Sequence, residues 1–235
     1  MRCFGFSTGS LSKGRYQEAI AMLARHSLQA IEVSALREDE FSDILQQWGD
    51  LDLGRYQNVS FHAPSRLREM SERNLVEQLT WFSQREIPSV VHPDILHNFT
   101  LWRRLGPALL IENMDRRKPV GRTADELSSI FAHLPDARLC LDLGHAKQVD
   151  PSMHETRMIL NLHGSRLAEV HLSEVNSLSG HESLNELAIS NFKRVAHMIP
   201  ATVPIILESP VAPDKIQLEL RSAERALPVF QLASV

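Results

Sequence analysis

Short apolar runs rich in β-branched residues alternate along this chain with longer stretches whose apolar positions recur at helical spacing. The runs predict strands over residues 3–8, 29–34, 58–62, 89–92, 108–112, 137–142, 166–172 and 203–208. Between and after them the spacing predicts helices over 16–26, 38–51, 69–85, 97–105, 123–134, 154–162, 183–198 and 213–227. Thr123, with Glu126 three residues on, has the spacing of a capping box. Eight strand-helix alternations with no glycine- or serine-rich linker point to parallel pairing. The expected architecture is an α/β fold, a single (β/α)8 barrel domain covering residues 1–235. A doubly wound open sheet is the rival.

What favours closure is where the polar residues fall. Val59-Ser60-Phe61-His62, Val90-Val91-His92, Leu109-Leu110-Ile111-Glu112, Leu139-Cys140-Leu141-Asp142, Glu169-Val170-His171 and Ile205-Ile206-Leu207-Glu208 all end on a metal-capable side chain. An open sheet would spread these ends along an edge, whereas a barrel gathers them above one mouth. Glu112, Asp142, His171 and Glu208 then form a contiguous arc. Three carboxylates packed together repel unless a divalent cation joins them, and oxygen and nitrogen donors without cysteine suit manganese, zinc, cobalt or iron.

His62 and His92 extend the arc, each followed within two residues by a proline that steers the outgoing loop away from helix. They are candidates for a second metal or for substrate oxygens. His145, three residues past Asp142 and beyond a glycine taken as flexible, and His181, in the loop Ser177-Leu178-Ser179-Gly180-His181, are candidates to orient substrate or donate protons. The loop Met114-Asp115-Arg116-Arg117-Lys118-Pro119-Val120-Gly121-Arg122 carries a dense positive run that, with Arg117 as its chosen member, offers a grip for an anionic or phosphorylated group. His26, His97, His133, His154, His163 and His197 fall on predicted helices or their ends and are read as structural or exposed, and the three tryptophans as packing residues.

Composition narrows the partners. With 43% hydrophobic residues in 235 the chain can bury a sizeable core, and its formal charge of -4 gives no global attraction to nucleic acid, which favours a small-molecule partner. Two cysteines, both placed in apparent strands, do not make a disulfide framework. No secretion signal and no stretch long enough to span a bilayer is apparent, so a cytoplasmic protein without membrane attachment is expected. No phosphate-binding loop, dinucleotide fingerprint or serine nucleophile elbow occurs.

The ordered series Phe4-Gly5-Phe6-Ser7, Ile111-Glu112-Asn113-Met114, Leu141-Asp142-Leu143-Gly144-His145, Val170-His171-Leu172-Ser173 and Leu207-Glu208-Ser209-Pro210 resembles the xylose isomerase-like TIM-barrel superfamily. That superfamily includes sugar phosphate isomerases and epimerases and the endonuclease IV type of apurinic/apyrimidinic endonuclease. In the isomerase branch the resemblance implies one metal on Glu112, Asp142, His171 and Glu208, with His145 near the substrate. In the endonuclease branch it implies a three-metal cluster that also recruits His62, His92, His145 and His181. The third site of that cluster normally includes an aspartate two residues before the final loop histidine, where this chain has Ser179.

The leading expectation is a metal-dependent isomerase or epimerase acting on a small sugar or hydroxy-carbonyl compound through a metal-stabilised enediolate. Glu112 and Glu208 exchange the proton and His145 polarises an oxygen. The alternatives are an endonuclease IV-like phosphodiesterase with a two-metal clamp, and a non-catalytic metal-binding barrel within a biosynthetic assembly.

Overall fold

The computed structural model describes residues 2–229. Its strands are β1 (Phe4–Ser7), β2 (Ala30–Ser34), β3 (Asn58–His62), β4 (Ser89–Val91), β5 (Leu109–Glu112), β6 (Arg138–Asp142), β7 (Leu167–Leu172), β8 (Glu174–Val175), β9 (His181–Glu182) and β10 (Ile205–Leu207). β1 to β7 and β10 pair in parallel in chain order, and β1 joins β10 to close the barrel. The open sheet is thereby excluded. β8 and β9 form a separate antiparallel hairpin.

The helices are α1 (Thr8–Ser12), α2 (Tyr16–Leu23), α3 (Glu38–Gln47), α4 (Glu72–Ser83), α5 (Phe99–Trp102), α6 (Ala124–His133), α7 (Leu143–Val149), α8 (His154–His163), α9 (Glu186–Lys193) and α10 (Ile216–Ala226). Their caps follow the sequence. Ser71, Thr123 and Asn185 each accept a hydrogen bond from the backbone N–H three residues on, meeting a donor the helix leaves orphaned. Glu126 completes only half of the expected box, because its carboxylate accepts from Arg122 rather than from the cap residue. The helix expected over 97–105 shrinks to α5 and tight turns, since Pro107 and the positive-φ Gly106 cannot continue it.

The apolar core lies mostly between the barrel and its helices. Phe41, Phe61, Trp48 and Phe82 interlock there, the rings of Phe61 and Phe82 stacking at 4.5 Å. Trp48, Trp81 and Trp102 are packing residues, as expected. Inside the barrel the apolar layer is thin, with Val90, Leu110 and Cys140 packed on Ala168. Above that layer the interior turns polar. Side chains two residues apart on a strand share a face, so Leu110 and Cys140 below place Glu112 and Asp142 above.

A bulge in β7 sets the remaining register. Leu139 pairs with Leu167 but Cys140 pairs with Glu169, leaving Ala168 over. The extra residue aligns Glu169 with Cys140 and His171 with Asp142, so both turn into the barrel. Ile206 pairs with His171, and Glu208, two residues further, continues on that inner side.

Candidate metal centre

Glu112, Asp142, His171 and Glu208 meet at the carboxyl ends of their strands. Each presents one ligand atom, and the four atoms lie within 4.8 Å of one another. Glu112, Asp142 and His171 are almost wholly buried, and Glu208 lines the opening above them. Asp142 Oδ2, His171 Nδ1 and Glu208 Oε2 make no hydrogen bond among the described residues. Buried polar atoms are rarely left so. Three of the four residues therefore hold a bare donor atom in one small volume, which is what a divalent cation requires.

The surrounding contacts hold this set in place. Asn113 Nδ2 donates to the Asp142 carbonyl at 2.9 Å, and its Oδ1 accepts from the Asp142 N–H at 2.8 Å. Asp142 Oδ1 caps α7, accepting from His145 N at 2.6 Å, so one carboxylate starts the helix and offers its other oxygen to the centre. Gly144 serves close packing rather than flexibility: a Cβ there would lie 2.5 Å from Val175 Cγ2 and 2.7 Å from the Ser173 carbonyl oxygen.

The other expected residues crowd around the same point. His62 Nε2 and His92 Nε2 each lie 3.1 Å from Glu112 Oε2. His145 Nδ1 lies 3.1 Å from Glu112 Oε1 and 3.3 Å from Asp142 Oδ2. His181 is on β9 rather than in an open loop, 3.5 Å from Glu208 Oε2, with its Nδ1 2.8 Å from Ser173 Oγ. A cavity of about 400 Å³, walled by Ser7, Ser34 and Ser65, opens onto His62, His92 and Glu208. A second of about 170 Å³ adjoins it and reaches Glu112, His145 and Arg117.

The basic run differs from its expectation. Its charges go largely into folding the loop back: Arg116 donates to the Ser177 carbonyl, Arg117 pairs with Asp115 and Lys118 with Asp94. Arg117 still lines the smaller cavity. Ser179, where the resemblance placed an aspartate, donates from Oγ to Asp115 Oδ1 at 2.8 Å. Of the histidines set aside, His163 is buried against Ser128 Oγ and the Ala124 carbonyl, a structural role.

Three acids near the centre escaped the sequence reading. Glu32 on β2 and Glu169 on β7 flank His171 from below, and Asp115 anchors the β5 loop. A single acid within the buried run Ala30-Ile31-Glu32-Val33 was the available signal for Glu32.

Burial and charge drive the two glutamates apart. Burial alone raises the Glu112 carboxyl, but the imidazoles around it, His92 first and then His145, His171 and His62, hold it well below the usual carboxylate range. Burial pushes Glu208 up to about 8, against the pull of His171 and with the push of Asp142 and Glu112. His62 and His145 rise to about 9 and about 10, because the acids around them outweigh burial.

No protein-family model matches the sequence, and no curated protein does. Solved structures share the fold. Endonuclease IV from Thermus thermophilus superimposes with a TM-score of 0.64 at 20% identity over 97% of this chain and 99% of that one. A xylose isomerase domain protein from Alicyclobacillus acidocaldarius gives 0.60 at 10% identity, over 95% and 98%. A xylose isomerase-like TIM-barrel protein from Mycobacterium smegmatis, solved in complex with magnesium, gives 0.56 at 10%, over 97% and 98%. At these identities the likeness establishes the fold that the motif series implied.

Proposed function

We propose that the chain is a single-domain, divalent-metal-dependent isomerase or epimerase of a small hydroxy-carbonyl compound, with Glu112, Asp142, His171 and Glu208 holding one cation. The observation that carries this is the uneven satisfaction of the site. Asp142, His171 and Glu208 keep bare atoms, whereas His62 and His92 spend theirs on Glu112. Manganese, zinc, cobalt, iron and magnesium all accept such an oxygen-rich set. When bound, the cation supplies positive charge to adjacent carbonyl and hydroxyl oxygens of the substrate.

The chain's own residues then divide the proton work. Glu112, held ionised, removes the proton from the carbon beside the carbonyl, and the electron pair left behind moves onto the carbonyl oxygen. Glu208, across the substrate, returns a proton to that carbon in epimerisation, or to the former carbonyl carbon in isomerisation, where the hydroxyl proton of the first carbon passes to the former carbonyl oxygen. His62 and His92 orient the Glu112 carboxylate. His145 and His181 face substrate oxygens, and Arg117 meets an anionic group at the rim of the smaller cavity.

Incubation with a panel of hydroxy-carbonyl sugars and sugar acids in deuterium oxide with added metal tests this reading. Incorporation of deuterium at the carbon beside the carbonyl is expected. It should fall at least 1000-fold in Glu112→Gln and Glu208→Gln, with unchanged circular dichroism, on the order of the rate loss when positioned acid–base groups are removed. Full exchange in both variants defeats the assignment.

A second reading is favoured by one specific arrangement: His62, His92 and Glu112 form a further metal-capable triad sharing Glu112 with the first group. Two cations bridged by Glu112 would suit hydrolysis of a phosphate ester, the activity class of the endonuclease IV that shares the fold. Metal content separates the readings. One tightly bound ion per chain supports isomerisation, and two support hydrolysis, for which abasic DNA and simple phosphodiesters are the substrates to assay.

A further inference from the structure

Beneath the metal-capable group lies a carboxylate layer with no part in the proton transfers above. Glu32 is fully buried inside the barrel, with Oε2 3.0 Å from His171 Nε2. Glu169 Oε1 lies 3.3 Å from the same nitrogen. Two acids in a closed interior repel one another and are costly to bury, so their placement on one imidazole nitrogen requires a reason.

The imidazole supplies it. A ring nitrogen flanked by two carboxylate oxygens must carry a proton, because an unprotonated nitrogen would set lone pair against lone pair. That assignment leaves Nδ1 to face upward, 3.5 Å from Glu208 Oε2 and 3.7 Å from Glu112 Oε1, and it makes no hydrogen bond. A flipped or freely rotating ring would lose the alignment. The stacking of His171 with His62, ring centroids 5.9 Å apart and 26° from parallel, further limits rotation about the side chain.

We propose that Glu32, seconded by Glu169, is a positioning residue that fixes His171 with its proton on Nε2 and presents Nδ1 to the cation. The negative charge behind the ring also makes Nδ1 a stronger donor, since outer carboxylates raise the basicity of a ligating imidazole. The inference rests on the metal reading above, but not on the reaction assigned to it. β2 thereby contributes to the site from beneath as well as through Ser34 at the cavity wall, and the role accounts for an acid within the buried run Ala30-Ile31-Glu32-Val33.

Competition for Zn2+ against a chromophoric chelator tests it, with thermal unfolding of the metal-free proteins measured in parallel. Glu32→Gln keeps the shape and an acceptor but removes the charge, and Glu32→Ala removes both. Affinity is expected to fall about 10- to 100-fold in Glu32→Gln and at least as far in Glu32→Ala, while the metal-free melting temperature of Glu32→Gln stays level or rises. Long-range 1H–15N spectra of the zinc-loaded wild type should show His171 protonated at Nε2, with that resonance broadened or lost in Glu32→Ala. If Glu32→Ala fails to fold, the near-isosteric Glu32→Gln carries the test. Binding within twofold of wild type in Glu32→Gln, where His171→Ala abolishes it, overturns the role of Glu32 and leaves the metal site standing. A wild type that binds no Zn2+ overturns both.

Discussion

Asp142 joins fold and site within one carboxylate, Oδ1 capping α7 and Oδ2 bare at the centre, so its two functions can be separated by substitution. Asp142→Asn retains a cap acceptor and loses the charge. Metal affinity is expected to drop at least tenfold, the scale set for perturbed metal shells, with the metal-free melting temperature held. Asp142→Ala should in addition lose the cap, about 1 kcal/mol in urea denaturation. The titrating groups give a pH dependence with a definite sign. Glu208, raised from 4.5 to about 8, and His62 and His145, raised from 6.5 to about 9 and about 10, hold more protons folded than unfolded. Their stabilisation is complete below the unfolded values and is lost as pH rises through the folded ones. His92 and His181, whose values are lowered chiefly by burial, act in the opposite sense, but their contribution is confined to pH near and below the ordinary histidine value, at the lower edge of this window. Chelator-stripped protein should therefore melt lower at pH 8.5 than at pH 6.5, and added metal should narrow the gap by taking the place of the protons. At this scale the strand-end residues were legible because each closes an apolar run. Glu32 and Glu169 were not, because which way they point is decided by closure and by the bulge at Ala168.

Among the elements, α7 and the β8/β9 hairpin form the part of the mouth that sequence periodicity did not reveal. α1 and α7 are too short to show a helical repeat, and the hairpin strands have two residues each. Their packing yields a prediction against propensity. Ala is favoured over Gly in a helix by about 1 kcal/mol, yet Gly144→Ala would drive a Cβ into Val175 and the Ser173 carbonyl. Net destabilisation of about 1–3 kcal/mol is expected from overpacking, measured by urea unfolding. Val175→Ala should restore only part of it, since the Ser173 oxygen belongs to the backbone. The loop after β5 shows the opposite lesson. Its positive run was visible in the sequence, but the partners that occupy it, Asp94, Asp115 and the Ser177 carbonyl, were not, because folding of the loops is what brings them within reach.

For the whole molecule, closing eight parallel strands brings residues distant in sequence together, Phe4 beside Ile205 at the closing seam and Glu32 against His171, 139 positions on, inside the barrel. The strand and helix alternation was enough to read this architecture, because each apolar run is bounded by a polar end or a turn and no linker interrupts the series. Closure also creates the instability that a cation would relieve, since carboxylates distant in sequence converge on one volume. Zinc-edge anomalous diffraction from crystals grown with Zn2+ tests that claim most directly. A peak about 2.0–2.2 Å from Glu112, Asp142 and Glu208 oxygens and from His171 Nδ1 is the predicted result. Density with no peak among these four residues, or zinc bound only elsewhere on the chain, would contradict it.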